Sequence, residues 1–246
     1  MPRSEVAPGV HRFDDGYVNW YLVEDAEGLV LVDAGFPGDY DQFRRELGET
    51  GHQLGEIQAV LITHAHIDHL GFADRVRQEA GARVLVSEGD AELAGNPLRA
   101  AKSERNPIEY VLRHGATRSL YLAALRKNAI RAKYLGEFET FRPGDTLPGG
   151  LQAIACPGHT FGHCGFHDER RSVLFAGDAF VTRDPYTGRT GPRVVARAAT
   201  ADSAQAKQSL PALEATGATV VLTGHGEPWT GGVQAAVAEA VANPVA

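Results

Sequence analysis

Short apolar runs separated by turn residues alternate along the chain with segments of helical periodicity. The acidic and glycine-containing segment 24–28 suits a hairpin turn. After His69 the apolar positions follow a helical spacing to Ala80, where Gly81 ends the predicted helix. This alternation is typical of a layered α/β protein. Runs rich in Val, Ile and Leu predict strands at 18–23, 29–32, 59–63, 83–87, 151–155, 172–176 and 219–223.

A purely helical pattern interrupts the alternation in the middle of the chain. Turn residues lie on both sides of it, at 95–97 and 142–145, and we therefore predict a helical insert at about 97–136. One apolar face of the insert contains Ile108, Val111 and Leu112, and another contains Leu122, Leu125 and Ala129.

Length and composition favour one globular domain over residues 1–246, because 246 residues with 43% hydrophobic content can bury a large core. The N-terminus lacks the apolar core of a signal peptide, and no apolar stretch approaches the roughly 20 residues of a membrane span. We therefore expect a cytoplasmic protein without a membrane partner. The only cysteines, Cys156 and Cys164, suit a reducing compartment.

Charge is distributed unevenly along the chain. The formal net charge of −7 provides no broad positive field, which disfavours nucleic acid as a partner. The insert reverses this sign locally and would attract an anionic small-molecule substrate, although a solvated helix face explains the same pattern. It carries nine basic residues against Glu104 and Glu109: Arg99, Lys102, Arg105, Arg113, Arg118, Arg126, Lys127, Arg131 and Lys133.

The strongest chemical signal is the run 63–69, which follows a predicted strand. Four ligand-type side chains, His64, His66, Asp68 and His69, lie within six residues on a strand-to-helix loop. Imidazole nitrogen and carboxylate oxygen suit zinc and similar divalent metals, and the absence of nearby cysteine argues against a cysteine-rich structural site. Three later residues occur beside glycine at predicted strand ends: His159, Asp178 and His225.

The order of these motifs, from Asp33 to His225, resembles the metallo-β-lactamase superfamily. The resemblance implies a four-layer αββα sandwich with the metal site at one edge of two sheets. It also implies a dinuclear centre in which Asp178 bridges the two ions. The remaining ligands would be His64, His66 and His159 for the first ion, and Asp68, His69 and His225 for the second.

The same resemblance narrows the range of expected activities. True β-lactamase branches have Cys or Ser where this chain has Asp178, so the pattern is closer to the glyoxalase II and lactonase branches. These imply hydrolysis of a small ester, lactone or thioester by hydroxide formed at two zinc ions, with iron or manganese as alternative metals. Asp33 would support the metal loop, Asp68 would orient the nucleophile, and Tyr186 would donate to an oxyanion, unless it only packs within a turn.

Other branches of the superfamily are alternatives. Persulfide dioxygenases share the motifs and hold one iron, for which the equivalents here are His64, His159 and Asp178. Hydroxyacylglutathione hydrolases add a C-terminal helical domain, whereas 21 residues follow His225 here. Flavodiiron-type reductases have an acid in place of His66, and a tRNase Z-like enzyme would need an RNA-binding arm. A complete ligand set also disfavours a non-catalytic binding module.

Overall fold

The strands form two sheets and a separate ribbon. The computed structural model describes residues 4–96, 101–129 and 135–246. The first sheet contains, in hydrogen-bonded order, β1 (Ser4–Ala7), β2 (Val10–Asp14), β3 (Asn19–Asp25), β4 (Gly28–Val32), β5 (Ile57–Leu61), β6 (Arg83–Ser87) and β7 (Glu139–Phe141). The second contains β8 (Thr146–Leu147), β9 (Leu151–Ala155), β10 (Cys164–Asp168), β11 (Val173–Gly177) and β14 (Val220–Thr223), in the order β14-β11-β10-β9-β8. The ribbon pairs β12 (Val181–Arg183) with β13 (Thr190–Arg193).

Helices connect the strands and cover the outer faces of both sheets. No helix in the described part of the chain is long and apolar enough to cross a membrane. The α-helices within the described residues are α1 (Tyr40–Glu49), α2 (Ile67–Leu70), α3 (Ala73–Ala80), α4 (Ala91–Gly95), α5 (Pro107–Arg113), α6 (Gly115–Arg126), α7 (Ser203–Glu214) and α8 (Val233–Ala242).

Among the described residues, the three largest apolar cores lie between four layers. The central core joins the inner faces of the two sheets, with Val32 and Leu61 from the first sheet against Phe166 and Phe175 from the second. A second core packs α1 and α3 against the outer face of the first sheet. A third packs α7 and α8 against the second sheet. The predicted αββα sandwich is therefore confirmed.

Parallel pairing brings the ends of several strands to one edge of the sandwich. In the first sheet, β4, β5 and β6 are parallel neighbours, and in the second sheet β11 and β14 are parallel. In open α/β sheets, ligand sites form outside the carboxyl ends of such strands. The segments that follow these strands begin at Asp33, Ile62, Glu88, Asp178 and Gly224.

The helical insert is confirmed within the described residues, where it consists of α5 and α6, and its outer parts at 97–100 and 130–134 lie outside them. Most of the apolar residues that the spacing places on its two faces are exposed to solvent. Leu112 is 78% exposed and Leu122 is 53% exposed, whereas the face that packs on the protein body includes Tyr110 and Leu120. Tertiary contacts select a mixed aromatic and small-residue face of the helices for burial, and leave much of the aliphatic face in solvent.

One of the basic residues of the insert is not available to a substrate. The ammonium of Lys127 is bound between the buried carboxylates of Asp15 and Asp39, at 2.5 Å from Asp39 Oδ1. Burial, followed by the charge of Asp15, raises the pKa of Asp39 to about 6. Lys127 therefore neutralises a carboxylate pair that links the insert to the body of the protein.

We expect Lys127→Met to lower the free energy of unfolding by about 3 kcal/mol, since it leaves two buried carboxylates without their cation. A carboxyl group with a raised pKa contributes most to stability when protonated, and this contribution is lost as the pH rises through 6. The deficit of the variant should therefore grow between pH 4 and pH 7. Urea denaturation at several pH values measures this, with Arg126→Met, an exposed neighbour, as the control. Equal stability of both variants at pH 7 would contradict the assignment.

Candidate metal centre

The loop 63–69 is anchored to the first sheet by the carboxylate of Asp33. This residue adopts a left-handed φ of 61° directly after β4. Its Oδ1 accepts from the Thr63 backbone N at 2.8 Å, and its Oδ2 lies 2.9 Å from His69 Nδ1. Because a carboxylate accepts, His69 donates through Nδ1 and directs Nε2 towards the centre. Asp33 therefore has the supporting position that the sequence predicts.

The first group of ligand-type side chains consists of His64, His66 and His159. One side-chain nitrogen of each lies within 4.8 Å of the others. Thr200 Oγ1 donates to the Val195 carbonyl at 2.9 Å and lies 3.3 Å from His159 Nδ1. Because Thr200 donates its only hydroxyl proton to the Val195 carbonyl, its oxygen can only accept from His159. Nδ1 of His159 therefore carries a proton, and Nε2 presents its lone pair.

The second group consists of Asp68, His69 and His225, again with donor atoms within 4.8 Å of one another. His225 Nδ1 lies 2.6 Å from the Tyr17 carbonyl oxygen. A carbonyl oxygen only accepts, so Nδ1 carries the proton and Nε2 is directed towards the carboxylates. His69, His159 and His225 therefore each carry their proton on Nδ1 and leave Nε2 free. This is the tautomer that a metal ligand needs.

Asp178 lies between the two groups. Its Oδ2 is 3.5 Å from His159 Nε2 and 3.1 Å from His225 Nε2, and its Oδ1 is 3.7 Å from His69 Nε2. A Cβ added at Gly224 would lie 2.1 Å from Asp178 Oδ1. The glycine before His225 thus allows the two strand ends to approach closely enough for this contact.

The backbone of Asp178 is held by His163. The Asp178 N–H donates to His163 Nε2 at 2.9 Å. Burial lowers the pKa of His163 to about 3, so the ring is neutral and its proton lies on Nδ1, 3.1 Å from Cys156 Sγ. Cys156 and Cys164 are both free and buried.

The electrostatics of the cluster match a site built for cations. Burial alone would lower the pKa of His69, but the carboxylates of Asp178 and Asp33 raise it to about 10. His225 behaves similarly, with burial outweighed by Asp178 and a pKa of about 8. Burial opposes ionisation of Asp178, yet the neighbouring imidazoles hold its pKa far below the ordinary range.

Three buried donor atoms in the centre have no hydrogen-bond partner among the described residues: His64 Nε2, His69 Nε2 and Asp178 Oδ1. Buried polar atoms without partners are rare in folded proteins, and metal coordination is one physical reason for them. Imidazole nitrogens with a carboxylate oxygen are a donor set for zinc and related first-row metals. The residues present therefore fit divalent metal ions.

The loop after Asp178 places Tyr186 against the insert. Asp184 Oδ1 accepts from the Tyr186 N–H at 2.9 Å, Thr117 Oγ1 donates to the Tyr186 carbonyl at 2.7 Å, and the ring lies 6.2 Å from that of Tyr110. Burial, followed by the charges of Tyr121 and Asp68, holds the pKa of Tyr186 well above its ordinary value. The phenol therefore keeps its proton and remains a hydrogen-bond donor.

Several residues that shape the site carry no signal in the sequence pattern. Thr200, the Tyr17 carbonyl and Asp90 are far from the motifs in the chain and reach the centre only through the fold. The position of Thr160 next to His159 suggests that its hydroxyl orients the His159 imidazole. Its hydroxyl instead donates to Asp90, and Thr200 contacts the ring.

Comparison with known proteins identifies relatives in sequence. The uncharacterized protein YobT of Bacillus subtilis is 34% identical over 169 residues, which cover 68% of this chain and 63% of that protein. The probable metallo-hydrolase YflN of the same organism is 25% identical, over 92% of this chain and 87% of its own. A hydroxyacylglutathione hydrolase of Pseudomonas putida is 27% identical over 68% of this chain, which spans only 48% of that enzyme.

The fold is shared with solved structures. A metallo-β-lactamase family protein from Thermus thermophilus superposes with a TM-score of 0.67 at 23% identity, over 95% of this chain and 78% of that one. The sequence model described as the metallo-beta-lactamase superfamily matches residues 13–225, which include every motif from Asp33 to His225. The chain belongs to the metallo-β-lactamase superfamily.

Proposed function

We propose that this protein is a metal-dependent hydrolase with two divalent ions, zinc in the native enzyme, that cleaves a small ester, lactone or thioester. The observation that carries the proposal is the convergence of seven ligand-type side chains in one buried centre, with donor atoms in three groups no more than 4.8 Å apart. Names of relatives give further support, because they include a probable metallo-hydrolase and a hydroxyacylglutathione hydrolase.

The two groups of side chains suggest one ligand set for each ion. Asp178 is the proposed bridge, since its two oxygens lie within 3.7 Å of imidazole nitrogens from both groups. The first ion would be held by His64, His66 and His159, and the second by Asp68, His69 and His225.

Two bound ions of this kind supply a water that ionises near neutral pH and a Lewis acid for the substrate carbonyl. Asp68 is suited to orient that water and to accept its proton, because its side chain is 19% exposed, more than those of Asp178, His69 and His225. Tyr186 is suited to donate a hydrogen bond to the developing oxyanion, since its phenol stays protonated.

An anionic substrate fits the charge of the described part of the insert. Lys102, Arg105, Arg113, Arg118 and Arg126 are all exposed there, whereas the protein as a whole has a net charge of −7. Such a local field raises the concentration of anions near the site and the rate at which they associate.

The decisive experiment combines elemental analysis of protein purified without added metal with parallel activity assays. Esters, lactones and thioesters with and without a carboxylate serve as hydrolysis substrates, and oxygen uptake is measured with a persulfide. We expect two zinc ions per chain and hydrolysis of at least one class. One iron per chain with persulfide-dependent oxygen uptake would instead identify an oxidoreductase and overturn the proposal.

Tyr186→Phe tests the proposed oxyanion donor. We expect kcat to fall by about 10²-fold with little change in metal content, because removal of one such donor acts mainly on the transition state. Tyr110→Phe is the matched control, since it removes a neighbouring phenol hydroxyl but keeps the ring that packs against Tyr186. A kcat equal to that of the wild type would show that Tyr186 only packs within its loop.

A further inference from the structure

The turn that follows β6 packs against two loops of the proposed metal centre. Its last residue is Asp90, whose side chain is buried and accepts three hydrogen bonds. Oδ2 accepts from the Ala65 backbone N at 2.9 Å and from Thr160 Oγ1 at 2.7 Å. Oδ1 accepts from the Gly162 backbone N at 2.9 Å. One carboxylate thus joins segments that are nearly 100 residues apart in the chain.

These segments carry all three proposed ligands of the first ion. Ala65 lies between His64 and His66, and Thr160 directly follows His159. A displacement of either segment would therefore separate His159 from the other two imidazoles. The distance of 3.0 Å between His159 Nε2 and His66 Nδ1 shows how closely the loops approach.

Packing around Gly162 reinforces this junction. A Cβ at Gly162 would lie 2.2 Å from the Asp90 backbone N and 2.6 Å from Ser87 Oγ, so only glycine allows the contact. The Ser87 hydroxyl also donates to the Gly162 carbonyl. The turn 87–90 and the loop 159–162 are therefore in direct contact.

We propose that Asp90 is a positioning residue that sets the geometry of the first metal site and leaves the second largely unaffected. The inference rests on the proposed function, because it assumes the two ligand groups described above. The second group has other supports, since Asp33 holds His69 and the Tyr17 carbonyl holds His225. Asparagine at position 90 would offer one acceptor oxygen for three donors and would direct an amide N–H₂ at one of them.

Asp90→Asn is expected to weaken the binding of one of the two ions by about 10- to 100-fold, the usual effect of losing a group that orients ligands. Competition titration of zinc with a chromophoric chelator and the visible spectrum of the Co²⁺-loaded protein measure this without relying on activity. The matched control is Asp168→Asn, an equally buried carboxylate that instead binds Arg171. The control should bind both ions as the wild type does.

Combining Asp90→Asn with a second substitution identifies which of the two ions is affected. His66→Ala removes a proposed ligand of the first ion, so the remaining ion should bind with the same affinity whether residue 90 is Asp or Asn. Should Asp90→Asn not fold, Thr160→Val removes one of its three donors and should weaken the same ion to a smaller extent, with Thr160→Ser restoring it.

Wild-type affinity for both ions in the folded Asp90→Asn variant, or in Thr160→Val, would overturn the inference. Equal weakening of both ions would also overturn it, because a general loss of packing acts on both groups alike. Failure of the proposed function has a different signature: wild-type protein that binds two ions but hydrolyses no ester, lactone or thioester.

Discussion

Asp178→Ala is expected to reduce hydrolysis by at least about 10³-fold and to lower the metal content below two ions per chain. The physical reason is the position of the carboxylate between both groups of imidazoles, within 3.1 Å of His225 Nε2 and 3.5 Å of His159 Nε2. Without it, each of the two proposed ions would lose a negatively charged ligand, and the repulsion between the two cations would no longer be offset.

Asp178→Asn keeps the shape of the side chain and isolates the effect of its charge. We expect this variant to retain more metal than Asp178→Ala but to remain strongly impaired. Asp168→Ala is the control, since Asp168 is as buried as Asp178 but binds Arg171. Steady-state kinetics and elemental analysis of the same preparations make the comparison. A fully active Asp178→Ala variant with two ions would refute the bridging assignment.

Removal of metal is expected to produce the second large effect, on stability as well as on activity. A ligand that binds only the folded state at 1,000 times its Kd stabilises it by about 4 kcal/mol. For a chain of 246 residues this corresponds to an increase in Tm of roughly 10 °C. The chelator-treated protein should therefore unfold at lower temperature, lack hydrolytic activity and recover both properties when zinc is added.

Magnesium provides the specificity control for this experiment, because it prefers oxygen ligands and octahedral geometry. The proposed donors are mostly imidazole nitrogens, so magnesium should raise Tm far less than zinc does. Calorimetry of the metal-free protein with each ion measures the difference. A Tm that does not respond to zinc, or that responds equally to magnesium, would contradict a histidine-rich metal centre.

Sequence periodicity predicted strands correctly where the burial of a segment and its intrinsic strand propensity agree. The predicted strands at 83–87 and 151–155 match β6 and β9, and the hairpin between β3 and β4 turns at Ala26 and Glu27. Periodicity did not predict β10, whose sequence Cys-Gly-Phe-His-Asp contains glycine and three ionisable residues. All five residues are buried because β10 lies between β9 and β11. Pairing with two neighbours overrides the weak local preference of such a segment.

In the insert, the sequence pattern predicted the elements but not how they pack. Its helices were predictable from spacing alone, but the face that would be buried was not. Ile108 and Leu125 are more than half exposed, while Thr117 and Tyr110 face the protein body. A helical pattern fixes which residues share a face, whereas the surrounding structure determines which face packs.

The sequence by itself determined the set of candidate ligands: the run 63–69 and the later His159, Asp178 and His225, in segments that follow strands. Local spacing is enough for this, because side-chain chemistry and strand ends are properties of short segments. Only the tertiary structure brought those segments to one edge of two sheets and added Asp90, Thr200 and the Tyr17 carbonyl around them. These contacts join residues far apart in the chain, and their geometry depends on the packing of the sandwich as a whole.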